Sequence, residues 1–282
     1  MKKKTIIIGA LAAVIAAGGA VVLKTNPDLL FTASTAVHYM TAHHQKLEPC
    51  DTPVRSVAVS ALAENGAELN DCLRLVNDAN RLPEDYQPDI VTYKDTDVLF
   101  ESHTAEAYAG LSGEVAELFG DKLYVSSTYR TAEEQQELYG EQGSDTAQQP
   151  GASEHQTGLA ADVYVPYYAG EAFIKSEAGR WVNENCWKYG FIVRYPAAKK
   201  SVTGISYEPW HIRYVGEPHA EIMMKNGLTL EEYADFLGEG FFCSRDSMIS
   251  HQSGAEPMIP ESFTSCEVSP DGFGGWFVTA KQ

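Results

Sequence analysis

Apolar positions recur at helical spacing in several stretches of the chain. Between 106 and 119 they are Ala107, Leu111, Val115, Ala116 and Phe119, a pattern that predicts an amphipathic helix. Gly110 and Gly113 weaken that helix. Further helices are predicted over 132–139, 177–189, 217–226 and 230–237. Thr128 or Thr131 is placed to cap the first of these, Gly140 lies just past its end, and Trp181, Val182 and Trp187 are core candidates in the second. Short β-branched or alternating runs at 123–127, 159–165, 191–195 and 210–215 predict strands. Helices and short strands without a regular βαβ rhythm imply an α+β fold.

The flanks follow other patterns. An uncharged run, Thr5 to Leu23, lies between Lys2, Lys3, Lys4 and Lys24. At about 1.5 Å per residue it reaches roughly 28 Å, near the hydrocarbon thickness of a bilayer. The lysines before it predict a cytoplasmic N-terminus and an exported remainder. Small residues at 16–20 would suit a signal peptidase, but the run continues through Val21, Val22 and Leu23, which favours an uncleaved anchor over 1–24. Residues 25–70 read as a stalk and connecting segment, and 73–91 as an extended lead-in. The domain carrying the chemistry is expected over 71–237. The tail, 238–282, reads as a small appendage with a hairpin around Asp271-Gly272-Phe273-Gly274-Gly275. There are five cysteines. By position, Cys243 would pair with Cys266 to close the tail and Cys50 with Cys72, leaving Cys186 as a buried thiol.

Composition narrows the function. The length and 44% hydrophobic content support a sizeable core, and the net charge of −18 disfavours nucleic-acid binding, which needs clustered Lys and Arg. No oligomeric state follows from the sequence.

Two segments hold the candidate chemistry: Ser153-Glu154-His155-Gln156-Thr157-Gly158-Leu159-Ala160-Ala161-Asp162 and Glu208-Pro209-Trp210-His211. His155 and Asp162 lie across a glycine turn into a strand, and His211 is on a later strand. Two imidazoles and a carboxylate form a donor set that suits Zn²⁺ with one position open to water. Glu208, three residues before His211 and joined to it by stiff Pro209, is the candidate general base. Arg130, in Ser126-Ser127-Thr128-Tyr129-Arg130-Thr131, is a candidate partner for a substrate carboxylate or carbonyl. The Ser-x-x-Lys pattern of serine-type penicillin-binding enzymes is absent.

These motifs, with Leu82-Pro83-Glu84-Asp85-Tyr86-Gln87-Pro88, Tyr189-Gly190-Phe191-Ile192-Val193-Arg194-Tyr195-Pro196 and Ile212-Arg213-Tyr214-Val215-Gly216, resemble the VanY-like D-alanyl-D-alanine carboxypeptidases, zinc peptidases of the LAS type. The resemblance runs from about Leu73 to Leu237. Thr128 stands where that family often has glycine. The resemblance implies a compact domain with a small central antiparallel sheet flanked by helices. It implies one zinc held by His155, Asp162 and His211, with Glu208 as base. It further implies that Arg130 stabilises the carbonyl oxygen or anchors the substrate carboxylate, and that Gln135 and Ser153 contact substrate. The implied reaction is hydrolysis of the terminal peptide bond of peptidoglycan stem peptides, outside a membrane to which the N-terminal helix tethers the enzyme. An L,D-carboxypeptidase acting on tetrapeptide stems, an endopeptidase and a non-catalytic wall-binding module are the alternatives.

Overall fold

A computed structural model describes residues 26–143, 147–244 and 246–282. The lysine-flanked run at 5–23 lies outside them, and among the described residues no helix is long and apolar enough to cross a membrane. The chain opens with α1 (Pro27–Thr41), followed by β1 (Glu48–Pro49), β2 (Val54–Ser56) and β3 (Ala67–Leu69). The lead-in then runs to the hairpin pair β4 (Ile90–Thr92) and β5 (Leu99–Glu101).

Helix α2 (Ser102–Phe119) starts four residues before the predicted onset at 106. The cap is the carboxylate of Glu101, which accepts from Thr104 N at 3.1 Å, a less familiar signal than Ser or Thr. Gly110 in its middle has a packing reason. A Cβ there would lie 3.1 Å from the Tyr189 ring, so glycine lets the two segments approach. Strand β6 (Tyr124–Ser127) leads to α3 (Ala132–Gln142), which a capping box between Thr131 and Glu134 begins. After a 3₁₀ turn at Glu154–Thr157 come β7 (Ala160–Tyr164), α4 (Glu177–Asn185), β8 (Phe191–Val193), the short α5 (Lys200–Thr203) and β9 (His211–Tyr214). Helices α6 (His219–Asn226) and α7 (Leu230–Leu237) close this part.

Strands β6, β7, β9 and β8 form a four-stranded antiparallel sheet in that order, the small central sheet that the resemblance implies. Side-chain alternation divides its two faces. Ala161, Val163, Phe191, Val193 and Ile212 point into an apolar core with Tyr108, Leu111 and Val115 of α2 and Val182 of α4. Asp162, His211 and Arg213 lie on the other face. One face anchors the sheet and the other presents its chemistry.

The tail differs from the expected appendage. Its hairpin is present, as β13 (Ser265–Pro270) and β14 (Gly275–Lys281), but it belongs to a six-stranded sheet ordered β1–β10–β11–β14–β13–β3, with β10 at Gly240–Ser244 and β11 at Ser247–Ser253. The segment expected to be only stalk and connector supplies both edge strands. β12 (Met258–Pro260) pairs with β2 beside it. These edge strands, Glu48-Pro49 and Ala67-Glu68-Leu69, carry no β-branched or alternating run that would mark them in a sequence. Ile249 and Phe277 of this sheet share a core with Ile192, Tyr233 and Leu237, so the tail is packed against the part that carries the four-stranded sheet. His219 fastens the joint: its Nδ1 meets the Tyr233 hydroxyl at 2.7 Å and its Nε2 meets Thr279 Oγ1 at 2.6 Å.

Burial holds the His219 imidazole down, from 6.5 to about 3. The unfolded chain therefore takes up a proton that the folded chain refuses as pH falls from about 6.5 toward about 3. His219 contributes stability that is present above 6.5 and is lost across that window. His219→Gln is expected to flatten the acid limb of a stability-versus-pH curve measured by denaturant unfolding. An unchanged limb would reject this origin.

The cysteine pairings also differ from those expected. Cys50 is bonded to Cys243, with Cα atoms 5.4 Å apart, while Cys72, Cys186 and Cys266 are buried thiols. Pairing of β1 with β10 sets Glu48 opposite Cys243 and brings Cys50 alongside. Cys266, on β13, is separated from β10 by two strands. At about 4.8 Å per strand that is roughly 14 Å, too far for a disulfide. Peptide mapping is expected to recover a Cys50–Cys243 cross-link. Cys50→Ser is expected to cost about 2–5 kcal/mol of unfolding free energy.

Candidate metal centre and active site

Strand pairing builds the centre. β7 and β9 run antiparallel with Asp162 directly opposite His211, and β6 sets Ser127 opposite Asp162. A register shift between Val125 and Ser127 ends regular pairing there and turns the chain toward Arg130. His155 arrives on the 3₁₀ turn before β7. That turn ends at Gly158, with φ of +72°, where a Cβ would sit 2.7 Å from Glu101 N and 2.5 Å from the Ile90 side chain. Only glycine permits this approach of the turn to β5.

The ligand atoms of His155, Asp162 and His211 lie within 4.8 Å of one another. His155 Nε2 is 3.6 Å from Asp162 Oδ2, and His211 Nδ1 is 2.9 Å from Asp162 Oδ1. The two rings meet edge to face, with centroids 5.1 Å apart. The His155 imidazole is oriented from behind. His155 Nδ1 lies 2.9 Å from the Thr128 carbonyl, which can only accept, so Nδ1 carries the proton and Nε2 presents its lone pair. Behind His211, Nε2 is 3.7 Å from Glu154 Oε2. The Thr128 carbonyl fixes ring orientation and ligand basicity at His155, while Glu154 faces His211 beyond hydrogen-bond distance.

The charges suit a cation. Burial holds His155 down to about 3, leaving it neutral and ready to ligate. Burial also opposes a charge on His211, but the carboxylates of Asp162 and Glu154 outweigh it and raise this imidazole to about 9. The proton on His211 holds two carboxylates together, and a metal bound there takes over that role as the proton leaves. Two nitrogens and one oxygen, deprotonated or able to become so, fit Zn²⁺.

Glu208 and His211 sit on one turn: His211 N donates to Glu208 O at 3.2 Å. Asn183 of α4 donates to Pro209 O at 2.7 Å, and Glu208 N donates to Tyr195 O at 3.0 Å. Glu208 Oε2 is 3.9 Å from His211 Nδ1, close to the ligands yet outside their set. Burial pushes the Glu208 carboxyl up, against the pull of His211. Arg130 lies across the site, its backbone N–H donating to His155 O at 3.1 Å. Its buried Nε has no hydrogen-bond partner. Arg130, Gln135, Ser153, His155, Glu208 and His211 line one cavity of about 580 Å³. All seven residues singled out in the sequence therefore meet in one place, Asp162 among them. Gln135 Nε2 is used in holding Gln148 O at 2.6 Å, and its buried Oε1 has no partner.

Sequence reasoning missed the support beneath the ligands. Glu154 is fully buried between two buried arginines, with Arg194 Nε at 2.6 Å and Arg213 NH1 at 2.8 Å from its Oε1. Burial pushes the Glu154 carboxyl up, but Arg194 and Arg213 overcome it and hold the group far below the ordinary carboxylate range. Arg194 also forks onto Glu231 at 2.9 and 2.6 Å, and Arg213 donates to the carbonyls of Cys72 and Arg74. The available signal was an arginine embedded in or directly following an apolar strand run, as in Phe191-Ile192-Val193-Arg194 and His211-Ile212-Arg213. Tyr195 was missed too; its ring lies 4.9 Å from that of His211.

Comparison with known proteins gives concordant results. The VanY family, described as D-alanyl-D-alanine carboxypeptidase, matches residues 98–217. A D-alanyl-D-alanine carboxypeptidase of Enterococcus faecium is 41% identical over 148 residues, 51% of this chain and 47% of that protein, so the chain matches about half the length of this relative. The bifunctional D-Ala-D-Ala dipeptidase and D-Ala-D-Ala carboxypeptidase VanXYC of Enterococcus gallinarum is 34% identical over 183 residues, 59% of this chain and 95% of that protein. A solved vancomycin-resistance D,D-pentapeptidase VanY variant in complex with Zn(II) superimposes with a TM-score of 0.50 at 34% identity, covering 57% of this chain and 98% of that one.

Proposed function

Because the chain belongs to the VanY family of D-alanyl-D-alanine carboxypeptidases, we propose that it is a zinc-dependent D,D-carboxypeptidase that removes the terminal D-alanine from peptidoglycan stem peptides. The observation that carries this reading is the convergence of His155, Asp162 and His211 within 4.8 Å beside a buried carboxylate that is not a ligand, Glu208. His155 through Nε2, Asp162 and His211 through Nδ1 would hold the ion. Zinc, when bound there, supplies a Lewis acid and lowers the pKa of water to about 7.

The chain's own residues supply the rest. Glu208, raised by burial toward neutrality, takes a proton from the attacking water and returns it to the leaving amine of D-alanine. The unpartnered Nε of Arg130 faces loss of hydrogen bonding unless substrate supplies an acceptor, which suits a role at the terminal carboxylate or the scissile carbonyl. Gln135 and Ser153 line the wall where the peptide backbone would lie. The Glu154–Arg194–Arg213 group keeps His211 in place while the charges of the reaction develop.

The lysine-flanked apolar run at 5–23 supports a single-pass placement in the cell membrane with the catalytic part outside, where stem peptides occur. The substrate reading is tested with a stem pentapeptide ending in D-Ala-D-Ala, its C-terminal amide and the matching tetrapeptide. D-Alanine release from the free pentapeptide, with the amide resistant, is expected. Cleavage only of the tetrapeptide would assign an L,D-carboxypeptidase. Indifference to the amide would assign an endopeptidase. Failure on all three with zinc bound would leave a binding module.

A further inference from the structure

A second group of metal-binding side chains lies away from the catalytic cavity, on the seam where the connecting segment, the tail sheet and the start of α2 meet. Cys72, Glu101 and His103 each offer a ligand atom within 4.8 Å of the others. His103 is gripped on both sides, with Nδ1 2.6 Å from Glu101 Oε1 and Nε2 2.9 Å from Glu68 Oε1. Glu267 stands opposite Glu68 in the β3–β13 pairing, its Oε2 accepting from Asn70 at 3.1 Å. The cations nearby are already matched: Arg213 with Glu154 at 2.8 Å, and Arg74 with Asp71 at 2.6 Å. Two carboxylates thus grip one imidazole, with Glu267 near by and a buried thiol beside them. A cavity of about 470 Å³, lined by Glu68, Glu101 and His103, gives access from solvent.

We propose that Cys72, Glu101 and His103 form a second zinc site, with water completing the set and Glu68 holding the other ring nitrogen of His103 from behind. Sulfur, nitrogen and oxygen donors together select a borderline-soft ion such as Zn²⁺ over Ca²⁺ or Mg²⁺, which take oxygen. On binding, the Cys72 thiol and one ring nitrogen of His103 each release a proton to water, and the ion takes over the charge that the imidazolium balanced. The role is structural. Cys72 lies just after β3, and Glu101 and His103 lie at the start of α2, so one ion ties the edge of the six-stranded sheet to that helix. Glu101 N also donates to Gly158 O at 3.0 Å, which sets the clasp one hydrogen bond from the turn that carries His155.

The test uses the full-length chain, its His155→Ala/His211→Ala variant and Cys72→Ser, each loaded with zinc and, separately, with Co²⁺. The catalytic ligands contain no sulfur, so a sulfur-to-cobalt charge-transfer band in the near ultraviolet reports the second site alone. Two zinc ions per wild-type chain, one in the double histidine variant and a cobalt band lost in Cys72→Ser are expected. The metal-loaded double histidine variant should also unfold at a higher temperature than its metal-free form. A single ion in the wild type that disappears completely from the double histidine variant would overturn the proposal, and that comparison does not depend on Cys72→Ser folding. A cobalt band that survives in Cys72→Ser would overturn it as well.

Discussion

Glu208→Gln is expected to lower D-alanine release from the pentapeptide by about 10²–10⁴-fold, the usual worth of a positioned general base, with bound zinc unchanged. The amide keeps the shape of the side chain and removes its ability to take a proton. Because Glu208 is not among the ligands but lies 3.9 Å from His211 Nδ1, the loss should fall on turnover and spare metal content. The raised Glu208 carboxyl sets the direction of the acid limb in wild type. The base must be ionised, so activity falls as pH falls through its pKa, and burial displaces that fall upward. Steady-state rates with metal analysis on the same samples check both parts. Equal loss of zinc and activity would make Glu208 a ligand instead.

Glu154→Gln is expected to be the most destabilising single change near the site. It strips the charge that Arg194 and Arg213 share and leaves two guanidinium groups buried without it. Breaking a buried pair from one side costs about 3–5 kcal/mol, because the remaining charge has lost its compensation. Arg194 keeps Glu231, which limits the loss on that side. Glu154, with its folded pKa depressed, contributes stability that is fully present above its unfolded value of 4.5 and is lost as pH falls from there through the depressed folded value. The variant should therefore show a weaker pH dependence of unfolding below 4.5 as well as a lower stability at neutral pH. Zinc affinity should also fall, since His211 loses the negative charge facing its Nε2 at 3.7 Å. Denaturant unfolding and zinc titration measure the two effects, and wild-type values in both would remove Glu154 from the account.

The catalytic half of the fold was readable because its helices are periodic and its short strands are apolar or β-branched runs. The strands at 123–127, 159–165, 191–195 and 210–215 each contain an observed strand, and the helices at 132–139, 177–189, 217–226 and 230–237 overlap observed ones. The ligand set was readable because each residue sits in a motif with a turn signal, Gly158 before Asp162 and Pro209 before His211. The six-stranded tail sheet was not. Its edge strands are two and three residues long and come from the opposite end of the chain, so no local pattern announces them. The Cys50–Cys243 pair follows from that sheet and was hidden with it. The Glu154–Arg194–Arg213 group was hidden for another reason. A buried charge looks like a surface charge in sequence until the strand register places it beneath the ligands.

The most direct measurement is D-alanine release from the stem pentapeptide before chelation, after chelation and after restoration with zinc. The account predicts release that vanishes with the chelator and returns with zinc in wild type, but does not return in His155→Ala or His211→Ala. Release that persists through chelation, or that zinc restores in those variants, would contradict it.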